Sequence, residues 1–225
     1  MSKSEKLEKA LQYTFSDESL LSQALTHRSF SDLNNERLEF LGDSILNFVV
    51  ASSLYDQFPD ASEGELSRLR AGLVKRETLA DIAREIDLGS YLTMGSGEKK
   101  SGGFNRDSIL SDALEAVFAA IMMDADPNTA SLCIRRLFAS RFTGLSREDL
   151  EKDAKSRLQE HLQGLGQPVP EYVLVGSTGK SPNQIFEVEC RSAQLDAAVK
   201  AKGSSIRRAE QSAATIALAE LGVTP

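Results

Sequence analysis

The sequence predicts two domains of different class: an all-α domain, followed by a small α+β domain whose elements run α-β-β-β-α. Apolar residues recur at helical spacing as far as about residue 143, and no convincing strand pattern occurs before that point. A polar, highly charged stretch follows over residues 144–155, and strand-like alternation then lies between two helical segments. A chain of 225 residues is long enough for two domains. We place them at residues 1–148 and 154–223, joined by a linker at 149–153.

The first domain is predicted to be a series of amphipathic helices. Two short helices are marked by leucines four residues apart, Leu7 with Leu11 and then Leu21 with Leu25. Longer apolar stripes predict helices at residues 35–54, 63–86, 108–123 and 128–142. Glycine and lysine residues are concentrated at 95–103, which predicts a loop.

The second domain is predicted to contain three strands between two helices. The helices are expected at residues 155–163 and 206–221, and the strands at 172–176, 185–191 and 195–202. The middle strand alternates most clearly, with Phe186, Val188 and Cys190 on one face and charged residues on the other. Gly222 ends the last helix.

The net charge of −7, taken alone, argues against a nucleic-acid partner, because phosphates attract basic surfaces. The charge is unevenly distributed. Residues 151–225 hold nine basic and nine acidic side chains, whereas the first 150 residues hold 17 and 24. The acidic excess of the first domain is either a solvated surface or includes carboxylates gathered to hold a cation. Hydrophobic residues make up 41% of the chain, which excludes a disordered protein.

No segment is predicted to span a membrane, because apolar runs such as residues 116–123 are far too short. Residues 1–10 are charged and lack the apolar core of a secretory signal. Cys133 and Cys190 are isolated and form neither a metal-type spacing nor a disulfide framework. The expected location is therefore a reducing cytoplasm. His27 has no partner pattern, which favours a packing or surface position.

Three carboxylates near residue 40 share one helix face. At about 100° per residue, Glu36, Glu39 and Asp43 fall within an arc of about 60°. Like charges at this spacing repel each other, and a bound cation would remove the cost. Oxygen ligands of this kind suit Mg²⁺ or Mn²⁺. The alternative is that the three acids form the solvated side of an amphipathic helix.

A second pair of acids, Asp112 and Glu115, is also spaced for one helix face but has strongly apolar flanks. Acids in such a helix are expected to be partly buried, and buried acids need partners or a metal ion. Glu63 is a further candidate ligand. Alternatively, Glu63 is a helix-cap acid and not a ligand, since Ser62 and Glu65 have the spacing of a capping box.

The segment at residues 35–44, which reads NERLEFLGDS, resembles the signature of the ribonuclease III family. The resemblance continues through residues 64–70, 100–103 and 109–116. The second domain resembles the double-stranded RNA-binding domain of the same family. The likeness thus covers nearly the whole chain.

This resemblance implies a divalent-metal-dependent endoribonuclease that hydrolyses double-stranded RNA, with Mg²⁺ as the cofactor and Mn²⁺ able to replace it. The implied products carry 5′-phosphates and short 3′ overhangs, and the implied substrates are ribosomal RNA precursors and structured messenger RNAs. The alternative is a protein that binds duplex RNA without cutting it. The complete set of six acids favours the enzyme over that alternative. A third interpretation, a helical interaction protein, leaves the acid pair Asp112 and Glu115 unexplained.

The resemblance also assigns roles to the acids. It implies a metal ion surrounded by four carboxylates, those of Glu39, Asp43, Asp112 and Glu115. Asp43 and Glu115 are implied to be the most essential catalytic pair. Glu36 and Glu63 are implied to assist catalysis from the periphery, in the outer metal shell or on the RNA.

Phe40 lies between two acids and is either a core residue or, as the resemblance implies, a contact to the partner subunit of a homodimer. A twofold dimer would place one site on each RNA strand.

In the second domain, the RNA-binding residues implied by the resemblance are Ser156, Gln159 and Glu160 in the first helix, and Ser205, Arg207 and Arg208 at the start of the last. Basic residues at a helix N-terminus suit a phosphate. The sequence departs from the family pattern at Ile206, where a basic residue is expected, and at Pro182, where many relatives have histidine. Both departures predict a weaker or more salt-sensitive contact.

Overall fold

The computed structural model describes residues 3–146, 154–179 and 184–223. The chain divides into two compact units, residues 1–150 and 151–225, and each has its own hydrophobic core. The predicted fold classes are confirmed, because the described part of the first unit is helical and the second runs α-β-β-β-α. The predicted linker at 149–153 and Pro182 lie outside the described residues.

The described part of the first unit contains nine α-helices and two short 3₁₀ segments. The helices are α1 (Lys3–Leu11), α2 (Glu18–Ala24), α3 (Glu36–Gln57), α4 (Glu63–Val74), α5 (Arg76–Glu85), α6 (Ser96–Lys100), α7 (Asp107–Asp124), α8 (Pro127–Leu137) and α9 (Ala139–Thr143). The 3₁₀ segments are Leu88–Tyr91 and Gly103–Asn105. No helix in the described residues is long and apolar enough to cross a membrane.

Helix α7 forms the centre of the first unit, because its sequence is apolar on almost every side. It packs against α2, α3, α5 and α8. Between Ile109 and Ile121 eleven side chains are buried, and the two that remain partly accessible are Asp112 and Glu115. The surrounding helices therefore cover the apolar surface of α7 and leave one opening, at its two acids.

Three predicted elements of the first unit are corrected by the structure. The helix expected at 63–86 is two helices, because Lys75 adopts an extended backbone conformation between α4 and α5. The helix expected at 128–142 begins at Pro127 and is interrupted at Phe138, which is buried. The loop expected at 95–103 contains the short helix α6. Periodicity extends across such breaks because the apolar residues on both sides still face one core.

Helices α3 and α7 approach each other very closely at Gly42. A Cβ atom at this position would lie 1.8 Å from the backbone oxygen of Glu115, so only glycine permits the contact. The contact holds the acidic first turns of α3 beside the opening on α7. The glycine of the 35–44 segment is thus explained by the packing of the two acid-bearing helices.

The second unit contains α10 (Ala154–Gly164), β1 (Glu171–Thr178), β2 (Ile185–Arg191), β3 (Val199–Gly203) and α11 (Ile206–Glu220). The strands form an antiparallel sheet in the order β1-β2-β3. Helix α11 packs on β2 and β3, and α10 packs on α11. The alternation predicted for β2 is confirmed at Val188 and Cys190, which are buried. The third strand begins at Val199, four residues later than predicted, because turn and bend residues precede it.

Lys155 links three elements of the second unit. Its ammonium group lies 2.7 Å from Glu210 Oε2 on α11 and 4.4 Å from the centre of the Tyr172 ring on β1. Its backbone N–H donates to Gln211 Oε1 at 3.3 Å. These contacts fix the first turn of α10 against the rest of the unit.

Candidate active site

Three of the predicted metal ligands converge at the opening on α7. Glu39 comes from α3, and Asp112 and Glu115 come from α7; one carboxylate oxygen of each lies within 4.8 Å of those of the other two. All three side chains are half-buried. The spacing of three residues between Asp112 and Glu115 places both on one face of α7, and the Gly42 contact brings Glu39 opposite them.

The raised pKa values in the cluster show that bringing these acids together is electrostatically unfavourable. Burial raises the pKa of Glu115 to about 8, and neighbouring charges act in the same direction, with Asp43 the largest of them. Burial also raises the pKa of Glu39, and the charge of Asp112 adds to that effect. For Asp112 burial again raises the pKa, although a hydrogen bond from Ser111 opposes it. Half-buried acids with oxygen-only donors fit a hard divalent cation, which would lower this repulsion.

Asp43, the fourth predicted ligand, is exposed and is not among the three converging side chains. Asn47 Nδ2 donates to its Oδ1 at 2.7 Å and to its backbone oxygen at 2.9 Å. Asp43 still lies near the cluster, since its charge is the largest of those that raise the pKa of Glu115. The structure therefore places it beside the three acids, with its carboxylate held by Asn47.

The two acids predicted at the periphery have different surroundings. Glu36, in the first turn of α3, is exposed and forms an ion pair with Arg28 at 3.2 Å. Glu63, the first residue of α4, accepts a hydrogen bond from Ser67 Oγ at 2.7 Å. Glu63 lines a groove with apolar residues of α3 rather than the pocket of the three acids. The capping box predicted beside it is confirmed: the Ser62 side chain accepts from the Glu65 backbone, and the Glu65 side chain accepts from the Ser62 backbone.

Two of the three converging acids, Glu39 and Asp112, line a pocket of about 440 Å³ that also contains residues the sequence did not point to. Its lining includes His27, Arg28, Glu98 and Arg106 together with Glu36, Glu39 and Asp112. His27, Arg28 and Arg106 lie outside helices and Glu98 lies in the short helix α6, so no apolar periodicity marks these residues. The one available hint was Glu98, an acid within the stretch of glycine and lysine at 95–103.

His27 has a defined orientation in this pocket. The backbone N–H of Ser29 donates to His27 Nδ1 at 3.2 Å, so Nδ1 is an acceptor and the proton of the neutral ring is on Nε2. Ser29 Oγ also accepts from the Gly95 backbone at 2.9 Å, which ties this loop to the α6 segment. The sequence-based expectation of a packing or surface position missed that His27 lines the acidic pocket.

A row of large apolar side chains on α3 is exposed to solvent. Phe40 is 79% exposed, which excludes the alternative that it belongs to the core of this chain. Phe48 and Tyr55 follow at helical spacing and are 66% and 72% exposed. We call Phe40, Phe48 and Tyr55 the α3 stripe. The last two of these line the same groove as Glu63.

The predicted RNA-binding residues of α10 share one face of that helix. Gln159 and Glu160 are exposed and Ser156 is half-buried one turn before them. Leu158 and Leu162 are fully buried on the other side. The surface of α10 that carries the predicted polar residues is thus accessible.

At the start of α11 the predicted phosphate-binding residues are also accessible. The side chain of Ser205 caps the helix by accepting from the Arg208 backbone N–H at 3.2 Å. Arg207 and Arg208 are exposed, and Arg208 donates to Ser204 Oγ at 3.1 Å. Ile206, the departure from the family pattern, is 42% exposed as the first residue of the helix.

Both units match known protein families. Residues 17–141 match a family model described as Ribonuclease-III-like, and residues 154–221 match the double-stranded RNA binding motif. A protein named Ribonuclease 3 from Aliivibrio fischeri is 52% identical over 217 residues, which are 96% of this chain and 97% of that protein. The Ribonuclease 3 of Thiobacillus denitrificans is 54% identical and covers 96% of each chain.

Solved structures agree with these matches. The nuclease domain of ribonuclease III from Campylobacter jejuni is 45% identical, with a TM-score of 0.62, over 65% of this chain and all of that domain. A second structure of that domain, 46% identical with a TM-score of 0.61 over 62% of this chain and 98% of that one, was described for flexibility in a region involved in dimer formation. This chain therefore belongs to the ribonuclease III family of endoribonucleases specific for double-stranded RNA.

Proposed function

We propose that this chain cuts double-stranded RNA with Mg²⁺ held by Glu39, Asp43, Asp112 and Glu115. The observation that carries the proposal is the convergence of three half-buried carboxylates from α3 and α7. Asp43 is included because its charge acts on Glu115 more strongly than that of any other acid in the cluster. A set of carboxylate oxygens favours Mg²⁺, or Mn²⁺ in its place, over zinc.

A divalent cation at this site would activate water for attack on the phosphodiester and stabilise the negative charge that develops on phosphorus. The chain's own residues prepare for that chemistry. The raised pKa of Glu115 means that its proton leaves when a cation binds. Burial of the cluster among the apolar side chains of α7 strengthens each electrostatic interaction there. Asn47 donates a hydrogen bond to the carboxylate of Asp43, which favours the orientation seen here.

We propose that the active form is a homodimer in which the α3 stripe contacts a second copy of the chain. Three exposed aromatic side chains on one helix face form an apolar surface that a monomer leaves in water. Dimer formation described for the Campylobacter jejuni nuclease domain supports this assignment. Two sites related by a twofold axis would cut opposite strands, giving 5′-phosphates and short 3′ overhangs. Glu63, beside this stripe, would act close to the interface.

Phe40→Ala tests the dimer. Removing an aromatic ring from the stripe should shift a sedimentation profile toward monomer, because interfaces depend on a few large apolar anchors. Phe30→Ala is the matched control, since Phe30 is 61% exposed but lies in the loop between α2 and α3. An unchanged dimer in Phe40→Ala would remove this residue from the interface.

We propose that duplex RNA binds to the exposed face of α10 and to the start of α11. Double-stranded RNA-binding domains recognise the shape of the A-form helix through 2′-hydroxyl groups and phosphates. The accessible Gln159 and Glu160 suit the hydroxyl groups, and Arg207 and Arg208 suit the phosphates. Ribosomal RNA precursors and structured messenger RNAs are the proposed substrates. The proposed compartment is the cytoplasm, consistent with two free buried cysteines.

The deciding experiment incubates the full chain with a long RNA duplex, with and without Mg²⁺, and follows the products by size and by the chemistry of their ends. Short duplexes with 5′-phosphates and 3′ overhangs should form only with the cation. Intact duplex retained on the protein in Mg²⁺ would favour the alternative, an RNA-binding protein that does not cut.

A further inference from the structure

The acidic pocket also contains basic side chains, which are not among the proposed metal ligands. Arg28, in the loop after α2, and Arg106, the residue before α7, line the same 440 Å³ pocket as Glu39 and Asp112. A substrate phosphate that enters the pocket therefore meets two guanidinium groups as well as the carboxylates. The arginines come from separate segments of the fold.

Each arginine is held by a glutamate that lies outside the three-acid cluster. Arg28 Nη1 lies 3.2 Å from Glu36 Oε1, and its side chain is 70% exposed. Arg106 Nη1 lies 2.8 Å from Glu98 Oε1, and its side chain is 50% exposed. Each ion pair occupies one nitrogen of the guanidinium group, which has five N–H donors. Both arginines therefore keep donors for another anion while their position is restricted.

We propose that Arg28 and Arg106 form a phosphate-binding rim at the mouth of the pocket, with Glu36 and Glu98 as the positioning residues that hold them. The rim binds a backbone phosphate next to the one that is cut, and it rests on the proposed cleavage of duplex RNA. Glu36 then acts through Arg28 and not through the cation.

Electrostatics explain why such a rim is needed. The first 150 residues carry an excess of seven negative charges, and the pocket concentrates several of them where a polyanion must enter. Guanidinium groups bind phosphate through paired N–H donors, which fixes direction as well as distance. Two such groups at the rim offset the repulsion and orient the strand before its reacting phosphate reaches the carboxylates.

The rim also explains the position of Glu36. This residue lies one turn before Glu39 on the same face of α3, although the family resemblance places it at the periphery of the metal site. Its carboxylate instead pairs with Arg28 and is not part of the converging group. An acid that positions an arginine is needed at the edge of the site, where Glu36 lies.

The test measures RNA binding by the full chain in a Glu115→Gln background, so that the duplex stays intact, at a series of salt concentrations. Arg28→Gln with Arg106→Gln should lower the slope of log affinity against log salt by about one for each phosphate that the protein no longer neutralises. Affinity at physiological salt should fall roughly ten- to a hundredfold. Arg28→Lys with Arg106→Lys should restore the slope, because the charges remain.

Arg191→Gln is the matched control, because Arg191 is 52% exposed and pairs with Glu189 at 2.9 Å on the sheet of the second unit. It removes the same charge from a similar ion pair and should leave the slope unchanged. A slope that falls equally in the control, or does not fall in the double variant, would overturn the rim. If the unmutated chain fails to cut duplex RNA, the proposed function fails, and the slopes still decide the rim as a binding site.

Glu36→Gln, with Glu115 intact, separates positioning from metal binding. The Mg²⁺ concentration that gives half-maximal cutting should stay the same, while KM for the duplex rises severalfold as Arg28 loses its restraint. A higher Mg²⁺ requirement with an unchanged KM would assign Glu36 to the cation and contradict its positioning role.

Discussion

The two units differ in the burial and the distribution of the side chains that are predicted to act on RNA. The first unit brings three of its proposed metal ligands together as half-buried carboxylates on two tightly packed helices. The second unit distributes its predicted contacts over exposed side chains on α10 and α11. Charges act strongly on each other when they are withdrawn from water, whereas exposed charges are screened by water and salt.

This difference in burial determines how strongly a single substitution should affect the function of each unit. In the first unit one carboxylate cannot be replaced by a neighbour, because its position depends on the packing of α3 against α7. In the second unit each side chain contributes a small share of the binding free energy, and the others still bind when one is removed. Single substitutions should therefore have large effects in the first unit and small, salt-dependent effects in the second.

Glu115→Gln should produce the largest effect. It keeps the shape of the side chain but removes a charge from the proposed metal site, where stabilisation of several kcal/mol is expected. At ~1.4 kcal/mol for each factor of ten, cutting in Mg²⁺ should fall by about 10³-fold or more. RNA binding should change little. Glu220→Gln, an exposed glutamate on α11, is the control for loss of one charge. Full activity of Glu115→Gln would disprove the site.

Removal of residues 152–225 should have the next largest effect, on affinity. Two linked binding surfaces gain roughly 10² to 10⁴ in affinity from their connection, so binding at physiological salt should weaken by at least about 10²-fold. The carboxylates remain in the shortened chain, which keeps a core of its own. Residual cutting should therefore be measurable at low salt. Loss of all activity at every salt concentration would show that the two units do not act separately.

The sequence predicted the architecture well where a single physical pattern governs it. The buried apolar face of α3, the apolar surround of Asp112 and Glu115, and the alternation of β2 each follow from one helix or strand facing one core. The positions where helices break were not predictable in this way. Lys75 and Phe138 interrupt helices whose apolar periodicity continues, so the breaks depend on tertiary packing.

The site was only partly predictable for the same reason. Local spacing placed Asp112 beside Glu115 and grouped Glu39 with Glu36 and Asp43, and the family resemblance joined the two groups around one metal ion. Arg28 and Arg106 lie in loops and reach the pocket only through the arrangement of α2, α3 and α7, which no local pattern encodes. The orientation of Asp43 toward Asn47 depends on a side-chain conformation and could not be derived from spacing.

Gly42→Ala should show how strongly the first unit depends on its backbone packing. The new Cβ would lie 1.8 Å from the backbone oxygen of Glu115, so α3 and α7 must separate. Overpacking of this kind costs about 1–3 kcal/mol of unfolding free energy, and the displaced acids should also lose activity. Gly72→Ala is the control, because no atom beyond its chain neighbours and the nearby backbone of its own helix lies within 4 Å of the added Cβ. That substitution in α4 should stabilise by about 1 kcal/mol. Equal melting temperatures for the two variants would contradict the close contact.

The last prediction concerns the stability of the metal-free chain as pH changes. Folding raises the pKa of Glu115 from 4.5 to about 8, so the folded state holds this proton more tightly than the unfolded state. The stabilisation is complete below about pH 4.5 and is lost as the pH rises through about 8. In EDTA the melting temperature should therefore fall between pH 5 and pH 8 more steeply than that of Glu115→Gln. Added Mg²⁺ binds the ionised acids, so it should raise the melting temperature more at pH 8 than at pH 6. If the melting temperatures of the unmutated chain and of Glu115→Gln changed in parallel with pH in EDTA, ionisation of Glu115 would not be what destabilises the metal-free fold.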